Sequence, residues 1–443
     1  MGLFQESKVI FYHPLNDADE YIKSKTWTGT TQFGAAKVSN GLQAVPATSP
    51  TFGGVRQFYG SAAHEDMAVA GLSSDKFVVV WSNDTGTRQG RSRVGTVSGT
   101  DVTWGSEAFY RSSGGGNIYT FSATPLDSTH VVVVYNDGDD DSHGTAKVGT
   151  ISGLDITWGP ESEFDSSSSA LGLGRQADVE ALDSTHVVVA WRRQSTEVGI
   201  SVVGTVSGTD ITWGSTETFS TDDPVELGVG VLSSGKFAVA WRDSNDGNKG
   251  KARAGTVAGT TISYGSINTF DSASAINPAI AALSSTTVVV VFRSGTNNDS
   301  RAIIGTVSGT DITFGAGTVY LASTSSGYSW AVKLTSTKFV VAYRDGGDSN
   351  HGTTKLGTVS GTDITFGAES EYLAANSGGS NIAPLSASRF VVAFLDHSDS
   401  SRGKVNVGDV SQGSDLGGTS ADYDAAAAAT KVAFCGWLNR PSG

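Results

Sequence analysis

The chain has 443 residues, with 30 Lys or Arg against 44 Asp or Glu and a net charge of −14. With no basic stripe to meet phosphates, nucleic acid is excluded as a partner, and no apolar run approaches the roughly 18 residues of a membrane-spanning helix. The single Cys435 rules out a disulfide framework and a cysteine-built zinc site. Only 17% of residues are charged, while 56 are Gly and 9 are Pro. Together with abundant Val, Thr and Ser, this composition predicts strands joined by turns, an all-β chain.

At the N-terminus, Met1 to Lys8 lacks the basic start and apolar stretch of a signal peptide, and Glu6 breaks the myristoylation pattern. From residue 51 the chain is repetitive. Gly-Thr-Val-Ser-Gly-Thr-Asp-(Val/Ile)-Thr-(Trp/Phe)-Gly, or a close variant, begins at Gly95, Gly149, Gly204, Gly255, Gly305 and Gly357, with a degenerate copy at Gly408. Each copy follows a leucine, a few small polar residues and a β-branched run ending in an aromatic. The leucines are Leu72, Leu126, Leu182, Leu232, Leu283, Leu334 and Leu385, spaced by 54, 56, 50, 51, 51 and 51 residues. Seven all-β units of this period predict a seven-bladed β-propeller over residues 51–411.

Within each unit four strands are expected. In the first, strand A ends at Leu72, strand B is Phe77 to Trp81, strand C is Ser92 to Val97, and strand D runs from Asp101 to about Tyr110. Strand B is apolar on both faces, as befits a sheet packed between two others. Gly99 opens a two-residue turn in which positive φ is cheap. The aromatics ending strand B, from Trp81 to Phe394, read as core between blades. The seventh unit lacks strand D, and Thr51-Phe52-Gly53 leading to Phe58-Tyr59 matches Thr103-Trp104-Gly105 leading to Phe109-Tyr110. The N-terminal flank is therefore expected to supply the missing outer strand, closing the ring and removing an open edge.

Residues 1–50 and 412–443 leave the repeat. Val9 to Leu15, Trp27 and Phe33 to Leu42 resemble the opening of a laminin-G/concanavalin-like jelly roll, and Thr430 to Pro441 resembles its following strand. The resemblance implies a partial jelly-roll base made by the two termini, with the propeller inserted in one of its loops. Such a fold needs about eight strands, so other residues or another subunit would complete it.

Loop lengths distinguish the two ends of the blades. From the Gly of Gly-Thr-Val to the Gly after Trp or Phe the distance is 10 residues in all six complete copies, whereas from that Gly to the next Leu it ranges from 18 to 23. Variation therefore falls in the D–A connections, which share one face with the B–C loops, and binding sites favour varied loops on a rigid scaffold. Candidate contacts on that face are Asn117 and Tyr119 before the second unit and Tyr328 and Trp330 before the sixth; the plain alternative is that Tyr119 and Trp330 start strand A and fill the central channel. The B–C loops are rich in Asp and Asn. Asp137, Asp139 and Asp141 have the alternate spacing of a calcium loop, although Ser142 stands where such a loop usually has Gly, and Asx turns alone account for the composition. Calcium is the one candidate cofactor.

Arg192, Arg242, Arg293 and Arg344 follow the strand-B aromatic in four consecutive units. A sialidase would use arginines on a carboxylate, but these are related by the repeat, and pairing with a neighbouring acid explains them. The sialidase Asp-box has Asp and Trp five apart; Asp101 and Trp104 are three apart. No Gly-x-Ser-x-Gly elbow, His-Glu-x-x-His or P-loop is present. His130 and His186 occupy equivalent A–B turns. The sequence thus favours a non-enzymatic display scaffold over an enzyme. Near-identical repeats, jelly-roll-like termini and the missing export signal resemble tail-fibre or virion-surface proteins of tailed phages. That resemblance implies a virion or extracellular location, a host-surface glycan or receptor as partner, and contacts with other virion subunits. A structural or decorating role, or a glycan-cleaving enzyme, is the alternative.

Overall fold

A computed structural model describes residues 49–83, 89–112, 118–138, 140, 142–167, 176–322 and 326–410, together with the backbone of the paired strands Lys8–Val9 and Lys25–Thr26. Side chains of 64–66, 120–121 and 328 are outside the description. Contacts divide the chain into Pro46–Gln412 and a second unit of Met1–Val45 with Gly413–Gly443. The jelly-roll resemblance of the termini, Asn117, Asp139, Asp141 and the Tyr328 side chain all fall outside the described residues.

Each repeat is an antiparallel meander in which A pairs with B, B with C, and C with D. In repeat two these strands are Ile118–Pro125, His130–Asp137, His143–Ser152, and an outer strand broken into Asp155–Trp158 and Ser162–Asp165. The break follows the Trp-Gly step, where Pro160 has no N–H to offer the ladder. In repeats one and four the outer strand is continuous, as Asp101–Arg111 and Thr261–Asp271.

Strand B shows why the repeats must stack. In repeat one, Phe77 through Trp81 are all fully buried. Side chains alternate along a strand, so Phe77, Val79 and Trp81 enter the cluster shared with repeat seven, while Val78 and Val80 enter the one shared with repeat two. Among the described residues seven such clusters each join two consecutive repeats, and one of them joins the last repeat to the first. Branched and aromatic side chains fill both faces of strand B in each described repeat.

The ring closes through the N-terminal flank. Thr51 and Phe52 pair with Asp409 and Gly408, and the strand Arg56–Ser73 pairs with repeat seven at one end and serves as strand A of repeat one at the other. Details of the closure match the other junctions. Arg93 of repeat one donates to the Phe58 carbonyl at 3.1 Å, as Lys147 of repeat two donates to the Tyr110 carbonyl at 2.7 Å. The Trp-Gly glycines allow the next repeat's C–D turn to approach: a Cβ on Gly159 would lie 2.4 Å from Thr209 Cβ, and one on Gly53 would lie 2.3 Å from Thr100 Cβ.

Candidate ligand-binding face

An antiparallel meander places its A–B and C–D turns at one end and its B–C loops and D–A connections at the other. The first end is uniform. The A–B turns are tied to strand C by the same backbone bond, from Val97 N to Asp75 O and from Ile151 N to Thr129 O, both at 2.7 Å. His130 and His186 lie here, each with Nδ1 within 3.1 Å of the aspartate three residues earlier, Asp127 or Asp183. Thr129 and Thr185 donate to the same carboxylates and hold both below the usual aspartate range despite their partial burial. These histidines staple turns.

The other end is varied, and D–A connections bond to B–C loops there: Ser244 N donates to Asp223 O at 3.0 Å and Gly295 N to Ser274 O at 2.7 Å. The loops open as Asx turns. Asp243 accepts from Asn245 and Asp246 N, Asp345 from Gly347 N, and Asp396 from Ser398 N. They close on a left-handed residue sixteen positions beyond the leucine: Ser142, Asn248, Asn350 and Ser401, with φ of 66, 63, 63 and 55°. Asn tolerates this region better than most residues, which accounts for part of the Asn enrichment.

The candidate residues occupy distinct settings. Asp137 is buried, and Arg111 Nη2 lies 3.1 Å from its carboxylate, so an arginine already neutralises it. Tyr119 is on strand A opposite Asn136 and half-buried against the cluster between repeats two and three. Trp330 is on strand A opposite Ala342 and packs, half-buried, against the clusters on both sides of repeat six. Tyr328 lies in the same strand, at the bulge between Gly327 and Trp330.

The four repeated arginines differ in their partners. Arg192 pairs with Asp223 in the connection to repeat four and lies 3.4 Å from Glu197. Arg242 meets Glu226 of its own repeat at 2.9 Å, and Glu226 also accepts from Asn277 N at 2.7 Å. Among the described residues Arg293 has no ion pair, and its buried Nε makes no hydrogen bond. Arg344 packs on Gly327, where an added Cβ would meet its Nε at 2.9 Å.

Three further groups escaped the sequence reading. Asp165, at the end of an outer strand, accepts from Trp191 Nε1 at 2.7 Å and Arg193 Nε at 2.8 Å. Burial opposes its charge, but Arg193, Ser167 and Trp191 outweigh that and hold its carboxyl below the ordinary range. On the A strands of repeats two and three, Thr124 donates to Glu180 at 3.2 Å and accepts from Ala181 N at 3.2 Å, while Asp178 accepts from Val229 N at 2.8 Å. Burial first, and then the Asp178 charge, push the Glu180 carboxyl up to about 8, against the Thr124 hydrogen bond. Third, two histidines on the varied face each stand between two carboxylates: His143 Nδ1 is 3.3 Å from Asp140 and 3.4 Å from Glu163, and His351 Nδ1 is 3.4 Å from Asp348 and 3.0 Å from Glu371. Superposing the repeats in sequence would have shown this last pair, since Asp, His and Glu recur 208 residues apart at all three positions.

No family model and no curated protein matches the chain. Among solved structures, a Lactobacillus plantarum protein with a β-propeller fold is 13% identical over 70% of this chain and 85% of its own, with a TM-score of 0.50. The NanB sialidase of Streptococcus pneumoniae is 11% identical over 85% of this chain and 72% of its own, at TM-score 0.46. The Aleuria aurantia lectin is 12% identical over 71% of this chain and 97% of its own, at TM-score 0.43. At such identities the likeness concerns fold alone: the chain is all-β and of β-propeller type.

Proposed function

We propose that the chain is a seven-bladed propeller that serves as a non-enzymatic binding and display module, recognising a host-surface glycan or protein through its varied face. One observation carries this reading: the same strands end in turns of constant length on one side and in loops of differing length and polarity on the other. A rigid ring with one diversified face suits recognition. The finer reading places the module on a virion or cell surface, with a jelly-roll-like base formed by residues 1–50 and 412–443. A glycan array of the full chain tests recognition. Tyr328→Ala with Trp330→Ala should weaken binding while circular dichroism stays unchanged. Binding that survives this pair but fails after changes at Thr129 and His130 would overturn the assignment of faces, and a blank array would favour a structural or decorating role.

A second reading, a glycan-cleaving enzyme, draws on Glu180, whose carboxyl is pushed up to about 8 by burial and then by neighbouring Asp178, since an acid with a raised pKa suits proton donation to a leaving group. Release of reducing sugar that is lost in Glu180→Gln would favour it.

A further inference from the structure

Four B–C loops share one framework but solve their charge balance in two ways. In repeat four, Lys251 lies 2.6 Å from Asp243 and 2.9 Å from Asp246, and Lys249 lies 2.9 Å from Asp246. In repeat seven, Lys404 lies 2.8 Å from Asp396 and 2.7 Å from Asp399, and Arg402 lies 2.8 Å from Asp399. Two carboxylates meet two cations in each case.

Repeats two and six depart from this. Thr145 and Thr353 stand where the others have Lys251 and Lys404, so strand C supplies no second cation. Opposite those threonines on the outer strand stand Glu163 and Glu371, where repeats four and seven have Thr269 and Gln57. A carboxylate has been added where a cation was removed. At each site one imidazole, His143 or His351, faces two carboxylates, whereas in repeat two the cation that meets Asp137, the counterpart of Asp243, is Arg111 from the previous repeat's outer strand.

We propose that each of these two groups, Asp140–His143–Glu163 and Asp348–His351–Glu371, binds one divalent transition-metal ion of the zinc class. In each group the three ligand atoms lie within 4.8 Å of one another. Tetrahedral zinc with ligands at about 2.1 Å sets neighbouring ligand atoms about 3.4 Å apart. The Nδ1–carboxylate distances of 3.3 and 3.4 Å in repeat two, and 3.4 and 3.0 Å in repeat six, are close to that spacing. His143 Nδ1 is buried and makes no hydrogen bond, although both carboxylates are near. Imidazole with carboxylate favours zinc, nickel or copper; calcium prefers six to eight oxygens. The acids are exposed, so solvent can complete the coordination, and the ion would tie a B–C loop to its outer strand at two places on the varied face. This site is independent of the recognition reading above.

The test is zinc binding to the EDTA-stripped full chain, followed by calorimetry and by metal quantification after dialysis. His143→Gln and His351→Gln should each remove one equivalent, and together two. The pairs Thr145→Lys with Glu163→Thr and Thr353→Lys with Glu371→Thr install the arrangement of repeat four. They should likewise remove two equivalents while the melting temperature is kept, which separates lost ligands from lost fold. His130→Gln with His186→Gln, in the opposite turns, should remove none. Unchanged stoichiometry in the doubly substituted histidine variant, or no zinc uptake by the parent, would overturn the proposal and leave each group as a polar contact between a B–C loop and its outer strand.

Discussion

Replacing Asp165 with alanine probes how one repeat is locked to the next. Its side chain is 2% exposed and accepts from the indole of Trp191, itself fully buried, and from Arg193, whose side chain is 25% exposed. Alanine strands the indole N–H without an acceptor, a loss of about 1–3 kcal/mol, and unpairs an arginine that water still reaches. The sum is about 2–4 kcal/mol, below the roughly 3–5 kcal/mol of a fully buried broken pair. Urea unfolding followed by tryptophan fluorescence at pH 7 measures it. The sign of the pH dependence follows from the carboxyl being held low in the folded chain. Its contribution is present above the unfolded aspartate value of about 3.9 and is lost as pH falls through the lower folded value. Asp165→Asn should therefore show a shallower acid limb than the parent. A cost under about 1 kcal/mol for Asp165→Ala, or superimposable acid limbs for the parent and Asp165→Asn, would refute the reasoning.

Two other outcomes follow from the same structure. Phe58 packs on Trp81 at 4.9 Å and Trp104 at 6.2 Å, much as Phe164 packs on Trp191 at 5.1 Å and Trp213 at 5.7 Å. Phe58→Ala and Phe164→Ala should thus cost about the same, about 3–5 kcal/mol each, and unequal unfolding free energies would show that the closing strand is not equivalent to the others. Glu180 behaves oppositely to Asp165. Its raised carboxyl contributes fully below the ordinary glutamate range, and that contribution is lost as pH climbs toward 8. Melting temperatures between pH 5 and 9 should fall less steeply for Glu180→Gln, and identical slopes would contradict this.

What the sequence discloses is the part of the fold that periodicity encodes. The leucine spacing and the apolar strand B locate the sheets, because a strand buried on both faces must be apolar throughout: Phe77 to Trp81 lie inside the observed strand Lys76–Asn83. The match of Thr51-Phe52-Gly53 to Thr103-Trp104-Gly105 was legible because Gly53 and Gly105 both admit a residue of the next turn. Side-chain partnerships across repeats were less legible. Asp137 reads as one of three alternating ligands, yet its partner Arg111 comes from the previous repeat's outer strand. Glu180 looks like any exposed acid in sequence; its burial depends on neighbouring A strands. The recurrence of the Asp-His-Glu groups is legible in the aligned repeats, but their convergence is not, because Glu163 and Glu371 follow their histidines by 20 residues and are brought back by the hairpin of strands C and D.

The claim on which the account most depends is that the N-terminal flank completes the last repeat and closes the ring. Thr51 and Asp409 are direct partners in that pairing, and cross-strand partners lie within the Cα separation of about 4.4–6.8 Å that a disulfide spans. Thr51→Cys with Asp409→Cys, in a Cys435→Ser background, is the decisive measurement. The account predicts that mild oxidation joins the two cysteines within one chain, giving a proteolytic fragment that links residues around 51 to those around 409, and that the oxidised protein melts at or above the reduced one. Free thiols after oxidation, or cross-links only between chains, would contradict the closure.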